Sequence, residues 1–152
     1  LRREQAKSWP KEFQESFSGS SAIQVKPVDP VDLLNPEPAQ AMQRCWMRCG
    51  EALPDGPRIH QCVLAYLSDW SLLDTASRPH AVSFMQDNVQ VASLDHAMWF
   101  HRPLELNQWL LYAIDSPSAS HARGFARGNI FSASGDLLAS TVQEGLIRVR
   151  NP

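Results

Sequence analysis

The chain has 152 residues, of which 43% are hydrophobic and 20% are charged, and its formal net charge is -2 at pH 7. This length and composition are typical of one globular domain with its own hydrophobic core. The slightly acidic balance lacks the basic surface that nucleic-acid binding requires, so we expect no nucleic-acid partner. No apolar run approaches the roughly 20 residues of a membrane span, so we expect no membrane partner either.

The number of cysteines and the first residues of the chain indicate the cellular compartment of the protein. Three cysteines (Cys45, Cys49 and Cys62) form no disulfide framework, which favours a reducing cytosol and predicts a cytoplasmic location. Cys45 and Cys49 lie four residues apart with no second pair to close a zinc site, so we expect no metal. The chain begins at Leu1 without the apolar segment of a signal peptide, and we interpret it as processed or as a piece of a longer protein.

The first forty residues predict little regular structure. Residues 1–22 are polar and contain Pro10 and a Ser/Gly cluster, which is typical of a short helix followed by a flexible stretch. Residues 23–28 alternate like a strand, and Pro27 would place that strand at an edge or a bulge. Prolines recur in residues 29–40 and predict a loop. We therefore expect a linker with a short N-terminal helix over residues 1–40 and one domain over residues 41–152.

The clearest element is a helix from Ile59 to Leu73. Its apolar residues recur at helical spacing and predict one buried stripe: Ile59, Cys62, Val63, Tyr66, Leu67, Trp70 and Leu73. Pro57 suits the first turn of this helix. Strands are predicted at residues 43–49, 89–101, 109–115, 121–132 and 137–149, and a turn at 134–136 joins the last two as a hairpin. A long buried helix followed by antiparallel strands predicts an α+β fold.

Three polar side chains lie where apolar ones are expected. Asp69 falls at the edge of the helical stripe, where partial loss of hydration would make its carboxylate a better base. Gln143 points to the buried side of the last strand, and Ser93 lies on a strand without a clean apolar face. Each has a plainer interpretation as well: a carboxylate turned to water, a core amide bonded to backbone, and an ordinary half-polar strand.

Other catalytic patterns are weak. There is no Gly-x-Ser-x-Gly elbow, which argues against a Ser-His-Asp hydrolase. His96 and His101 lie five residues apart with no metalloprotease spacing. If residues 89–101 form one strand, Ser93 and Asp95 share one face, and Leu94 and His96 share the other. That alternation predicts that His96 lies away from Ser93.

Three long segments together resemble the acyl-CoA thioesterase II family. They are residues 65–69 (AYLSD), 92–103 (ASLDHAMWFHRP) and 139–148 (ASTVQEGLIR). The similarity runs from about residue 40 to the C-terminus. Members of this family are double hotdogs, in which two copies of a long helix wrapped by an antiparallel sheet lie in one chain. The resemblance covers only the second copy and the linker before it, so it implies a hotdog fold and, as partner, the N-terminal hotdog half, with homo-oligomers expected.

The resemblance also implies an activity. The catalytic trio of the family maps onto Asp69, Ser93 and Gln143, with Ser93 where many relatives have Thr. It implies that fatty acyl-CoA thioesters are hydrolysed to free fatty acid and CoA, without a cofactor, by a water that Asp69 deprotonates and that Ser93 and Gln143 hold. Two alternatives remain: a non-catalytic acyl-binding or assembly half, and a hotdog enoyl-CoA hydratase. The hydratase needs an Asp and a His that share one substrate, whereas His60, the nearest helix histidine, lies nine residues before Asp69.

Overall fold

The structure is a computed structural model that describes residues 22–150. The helix predicted within residues 1–22 therefore lies outside the described residues. The described part contains these elements: β1 (Ile23–Pro27), β2 (Met42–Cys49), α1 (Pro57–Ser68), α2 (Leu72–Ser77), a 3-10 turn (Arg78–His80), β3 (Val89–Ser93), β4 (Ala97–Phe100), β5 (Leu110–Ser120), β6 (Arg123–Phe131) and β7 (Leu137–Val149). None of these helices is long and apolar enough to cross a membrane.

All seven strands belong to one antiparallel sheet with the order β1-β2-β5-β6-β7-β3. The short strand β4 also pairs with β7, beside β3 on the same edge. The predicted strand at residues 23–28 is confirmed as β1, and its place at the end of the sheet suits Pro27, which has no backbone N–H to donate. The sheet thus begins inside the segment that the sequence indicated as a linker.

The sheet wraps around α1, and the core lies between them. Leu64 and Leu67 on α1 are 0% and 1% exposed, and they belong to one cluster with side chains from four strands. The strand residues include Met47, Leu110, Tyr112 and Ile130. This is the α+β arrangement that the sequence predicted, and burial of each large apolar side chain stabilises it by about 1.5–3 kcal/mol.

The helix is shorter than predicted. It begins at Pro57, after Gly56 with φ 122°, and it ends at Ser68 rather than at Leu73. The backbone of Ser71 is left-handed (φ 73°), and the new helix α2 starts at the next residue. Because a left-handed residue cannot continue a right-handed helix, apolar spacing alone overestimated the length of this element. The break leaves Asp69 as the C-cap of α1.

The buried stripe of α1 also differs from the prediction. The buried residues are His60, Leu64, Leu67 and Ser68. In contrast, Ile59, Cys62 and Tyr66 are exposed, Tyr66 by 61%. An apolar stripe in the sequence predicts that one face of a helix is covered. It does not predict whether the core of the same chain or another surface covers that face. These exposed positions lie at i, i+3 and i+7, so they form a second stripe on the outer side of α1.

The single strand predicted over residues 89–101 is instead two strands. The backbone N–H groups of Leu94 and Asp95 both donate to Glu144 O, at 3.0 and 3.3 Å, and Glu144 N–H donates to Asp95 Oδ1 at 2.7 Å. Two donors on one carbonyl interrupt the regular ladder and shift the chain before β4 starts at Ala97.

Candidate functional site

The three side chains singled out in the sequence come from three different elements. Asp69 caps the C-terminus of α1, Ser93 is the last residue of β3, and Gln143 lies in the middle of β7. Ser93 pairs with Gly145 across the sheet, and Gln143 lies two residues away on the same face of β7. Asp69 follows α1 directly with helical backbone angles (φ -69°, ψ -24°), and the fold brings all three residues together.

The Gln143 amide joins the three side chains. Its Nε2 atom donates to Asp69 Oδ1 at 2.7 Å and to Ser93 Oγ at 2.6 Å. Ser93 Oγ lies 3.4 Å from Asp69 Oδ1, longer than an ordinary O–H···O hydrogen bond. Both amide hydrogens are therefore used within the trio, while the Ser93 hydroxyl hydrogen is only weakly held and can be donated to another acceptor.

The trio is buried at one end and open at the other. Gln143 is 0% exposed, whereas Asp69 and Ser93 are exposed. Asp69 is therefore more exposed in this chain taken alone than the sequence indicated, although its Oδ1 atom accepts from the buried Gln143 amide. Because Gln143 has no exposed surface, a water molecule in the present geometry could contact Asp69 and Ser93 but not Gln143. The expectation that Gln143 holds the water directly does not fit this geometry.

A glycine allows the close approach of the helical corner to β7. A Cβ atom on Gly145 would lie 2.3 Å from Leu73 Cδ1 and 2.5 Å from its Cδ2, which is far inside contact distance. Leu73 belongs to α2, immediately after the break that carries Asp69. The absence of a side chain at Gly145 therefore lets the helical corner lie against β7 near Gln143.

A buried hydroxyl network lies behind the trio. Tyr112 donates its hydroxyl to Ser68 O at 2.8 Å and lies 2.9 Å from Thr141 Oγ1. Tyr112 and Thr141 are each 1% exposed, and Ser68 is 0% exposed. Burial raises the pKa of the Tyr112 hydroxyl well above its usual range, so the group stays protonated and remains a donor. The network ties the last turn of α1 to β5 and β7.

His96 joins this site, contrary to the alternation expected from the sequence. Its Nδ1 atom lies 3.3 Å from Gln143 Oε1, and its Nε2 atom lies 2.9 Å from Ser68 Oγ. The prediction that His96 and Ser93 lie on opposite faces is wrong, because the chain leaves the strand at Leu94. The sequence offered a signal for Ser68, a polar residue one turn after the buried Leu64, but none for the position of His96.

A second polar cluster lies on the other side of the helical corner. A cavity of about 130 Å³ between α1, α2 and the β1–β2 region is lined by apolar side chains, among them Met47 and Leu67, and by Asp74 and Arg78. Burial raises the pKa of Asp74 to about 6, and the nearby Arg78 lowers it only in part. Arg78 Nε is buried without a hydrogen-bond partner. Within residues 22–150, no three His, Cys, Asp or Glu side chains gather as a metal ion would need.

Known proteins similar to this chain agree on one family. The sequence profile described as acyl-CoA thioesterase matches residues 10–146. Acyl-CoA thioesterase 2 of Haemophilus influenzae is 41% identical over 143 residues, which are 94% of this chain and 50% of that protein.

Solved structures give the same result and confirm the predicted hotdog fold. An acyl-CoA thioesterase II from Mycobacterium marinum superposes with a TM-score of 0.73 at 41% identity, over 96% of this chain and 54% of that one. A protein from Alicyclobacillus acidocaldarius, described as having a hot dog fold, superposes with a TM-score of 0.68 at 19% identity, over 95% of this chain and 50% of that one. The chain thus spans about half the length of each of these relatives. The extent of the profile match and the identity to full-length relatives show that the chain belongs to the acyl-CoA thioesterase family.

Proposed function

We propose that this chain supplies a catalytic site for the hydrolysis of fatty acyl-CoA thioesters to free fatty acid and CoA. The observation that carries the proposal is the convergence of Asp69, Ser93 and Gln143, from three elements, on one amide nitrogen at 2.6 and 2.7 Å. The relatives are named as acyl-CoA thioesterases, which supports this substrate class.

In the proposed mechanism, water binds at the exposed side of the trio. Ser93 Oγ and Asp69 Oδ1 are 3.4 Å apart, so one water oxygen could lie at about 2.8 Å from both. Asp69 accepts a proton from this water while the water oxygen attacks the thioester carbonyl carbon. When the C–S bond breaks, the CoA thiolate leaves and takes that proton. No acyl-enzyme forms, and Asp69 is ready for another cycle.

Gln143 acts in this mechanism by fixing the other two groups. Its two N–H groups hold the carboxylate and the hydroxyl at set positions, which fixes the line of attack of the water. Asp69 lies at the C-terminus of α1, where the helix dipole does not stabilise a negative charge. The charge-assisted hydrogen bond from Gln143 therefore supplies the main contact that holds the carboxylate in place.

The acyl chain requires an apolar path from this site. The cavity beside α1 is bordered by Leu67, Trp70 and Tyr112, and the first two lie within two residues of Asp69 in the sequence. We therefore assign the acyl chain to this side of α1.

The contacts of His96 make the enoyl-CoA hydratase alternative less favourable. Its two ring nitrogens are bonded to Ser68 and Gln143, so neither is free to share a substrate with Asp69.

A second hotdog unit would complete the site. Four large apolar side chains near the trio are strongly exposed: Tyr66 by 61%, Leu94 by 55%, Trp99 by 51% and Phe100 by 38%. Tyr66 lies on α1, Leu94 directly follows Ser93, and the other two lie on β4. Covering this apolar surface would remove Asp69 from bulk water and strengthen its electrostatic interactions. The covering unit is either an N-terminal hotdog half or a second copy of this chain.

Association is tested by light scattering with activity measured at the same concentrations. We expect hydrolysis to rise with the assembled fraction, because the covered site is the active one. A monomer that is fully active at micromolar concentration would contradict the need for a second unit and leave the hydrolytic site itself untouched.

The activity is tested by thiol release from acyl-CoA of several chain lengths, with the chain alone and within the full-length protein. Asp69→Asn should lower kcat by about 1000-fold or more with little change in thermal stability, because it removes the base and keeps the shape. Asp87→Asn, at an exposed carboxylate before β3, is the matched control and should behave as wild type. Activity of Asp69→Asn within a few-fold of wild type would refute the site. Hydration of enoyl-CoA without thiol release would support the hydratase instead.

A further inference from the structure

The position of His96 is set by the interruption between β3 and β4. Two N–H groups and one carboxylate of residues 94–95 bond to the backbone of Glu144, the neighbour of Gln143. These bonds clamp the interruption to β7 at the level of the trio. The His96 ring therefore lies between Gln143 on the sheet and Ser68 on α1, with hydrogen-bond contacts to both.

The hydrogen bonds of Gln143 determine which proton His96 must carry. Because Asp69 and Ser93 take both amide hydrogens, the Nε2 end of the amide faces the trio and Oε1 faces His96. A carbonyl oxygen can only accept, so His96 Nδ1 must donate a hydrogen. The other neutral tautomer would direct the Nδ1 lone pair at Oε1. Relief of that repulsion by an amide flip would direct Oε1 at the Asp69 carboxylate.

Ser68 completes the set of constraints on the ring. In the neutral ring with hydrogen on Nδ1, Nε2 is an acceptor, and the Ser68 hydroxyl can donate to it over 2.9 Å. The Ala65 carbonyl, also 2.9 Å from Ser68 Oγ, competes for the single hydroxyl hydrogen. Ser68 is itself fixed by burial and by the hydrogen bond from Tyr112 to its carbonyl. Ser68 thus links the ring of His96, an exposed residue, to the buried core of the molecule.

We propose that His96 is a positioning residue for thioester hydrolysis: its Nδ1–H, held by Ser68, fixes the orientation of the Gln143 amide and through it the positions of Asp69 and Ser93. This role rests on the proposed function of the trio. His96 contacts neither of the two exposed groups that hold the water, so it acts through Gln143. Hydrogen bonds join Ser68 to His96, His96 to Gln143, and Gln143 to Asp69, and the contact between His96 and Gln143, at 3.3 Å, is the longest of the three.

The first experiment compares three histidine variants by steady-state thiol release. His96→Phe keeps a planar ring without the N–H, and it should lower kcat by about 10- to 100-fold with KM within twofold. His96→Asn should recover a substantial part of kcat, because its amide nitrogen can occupy the position of Nδ1. His101→Phe is the matched control, at an exposed histidine bonded to Ser140, and should keep the wild-type rate. Wild-type kcat in His96→Phe, or equal losses in the Phe and Asn variants, would overturn the proposal.

A double variant distinguishes action through Gln143 from direct action. Gln143→Met with His96→Phe should be no slower than Gln143→Met alone, because the histidine then has no amide to orient. Losses that multiply would overturn the proposal. If Asp69→Asn retains activity while these histidine effects persist, the proposed function of the trio fails, and this outcome is distinct from a failure of the role proposed for His96.

A measurement that does not need activity gives an independent result. Nitrogen-15 NMR of the folded protein should show His96 with hydrogen on Nδ1, and the side-chain amide of Gln143 should exchange its hydrogens slowly. In His96→Phe that exchange should accelerate while the backbone amides of β7 keep their protection. Hydrogen on Nε2 alone, or unchanged exchange of the Gln143 amide in His96→Phe, would overturn the proposal even in a chain that hydrolyses nothing.

Discussion

Two polar clusters flank the corner between α1 and α2, one buried and one partly buried, and they differ in how completely their groups are paired. On the β7 side, Gln143, Thr141, Tyr112 and Ser68 are uncharged, and each has a hydrogen-bond partner at 2.6–2.9 Å. On the β2 side, Asp74 and Arg78 are ionisable groups, and Arg78 Nε has no partner.

The cavity-side cluster is held mainly by Gln43. Its Nε2 atom donates to Ser71 O at 2.5 Å and to Thr75 Oγ1 at 2.7 Å, while Oε1 lies 3.5 Å from Arg78 Nη1. Gln43 and Gln143 therefore use the same amide chemistry on two sides of the corner. The difference is that Gln143 directs its hydrogens at the Asp69 carboxylate and the Ser93 hydroxyl. Gln43 instead directs its hydrogens at Ser71 O and Thr75 Oγ1.

The comparison shows that polar clusters in this fold have two different consequences, one for the geometry of neighbouring groups and one for stability. A neutral, fully paired cluster costs little stability and holds a precise geometry, which suits the positioning of a base and a water. A cluster with incompletely paired charges costs stability and responds to pH. Changes in the first should therefore appear mainly in the rate, and changes in the second mainly in the free energy of unfolding.

Among the substitutions that test this comparison, the largest effect is expected for Gln143→Met, which keeps the length of the side chain and removes the amide. We expect kcat to fall by about 100-fold, because Asp69 and Ser93 lose their shared donor. Thiol-release kinetics measure the loss, and Gln108→Met at an exposed glutamine is the control. An unchanged kcat in a folded variant would show that the paired cluster does not position the reactive groups.

Asp74→Asn should stabilise the fold at neutral pH. The pKa of Asp74 is about 6 in the folded chain and about 3.8 when unfolded, so the folded state binds its proton more tightly. The stabilising contribution of the protonated Asp74 carboxyl is therefore fully present below about pH 4, and it is lost as the pH rises through 6. The shift alone corresponds to about 3 kcal/mol, but Asp74 keeps some exposed surface, so we expect the variant to gain about 1–2 kcal/mol at pH 8.

Urea unfolding of Asp74→Asn at pH 4 and pH 8 measures this difference, which should vanish at the lower pH. Asp29→Asn is a control of opposite sign. Its hydrogen bond to Arg44 lowers the pKa of the Asp29 carboxyl, so its stabilisation is present at neutral pH and is lost as pH falls. A gain for Asp74→Asn that is equal at both pH values would contradict a charge effect.

The smallest effect is expected at Ser93, where the hydroxyl contributes one of the two contacts to the water in the proposed mechanism. Ser93→Ala should lower kcat by about tenfold, and Ser93→Thr should stay within about twofold, since Ser93 is exposed and a methyl group fits there. Single-turnover hydrolysis of both variants measures the difference. Equal rates for the alanine and serine enzymes would show that the hydroxyl does not hold the water.

Strand alternation and the family-like segments were sufficient to predict which polar residues lie together in the candidate site. The period-2 pattern of β7 placed Gln143 on the buried side, and the structure gives it 0% exposure. The α+β class, the last strands and the hairpin at Gly135 (φ 92°) also follow from local rules. These features depend on neighbours in sequence, which the chain specifies directly.

The end of α1, its exposed outer stripe and the position of His96 were decided only by the tertiary structure. The helix breaks where Ser71 adopts a left-handed backbone and α2 packs against Gly145, a contact between residues more than seventy positions apart. His96 reaches Gln143 because Glu144 draws residues 94–95 out of the ladder, which no alternation pattern could reveal. Local periodicity determines which face of an element is apolar or polar, but the direction of a side chain at an interruption depends on hydrogen bonds that form only when distant segments meet.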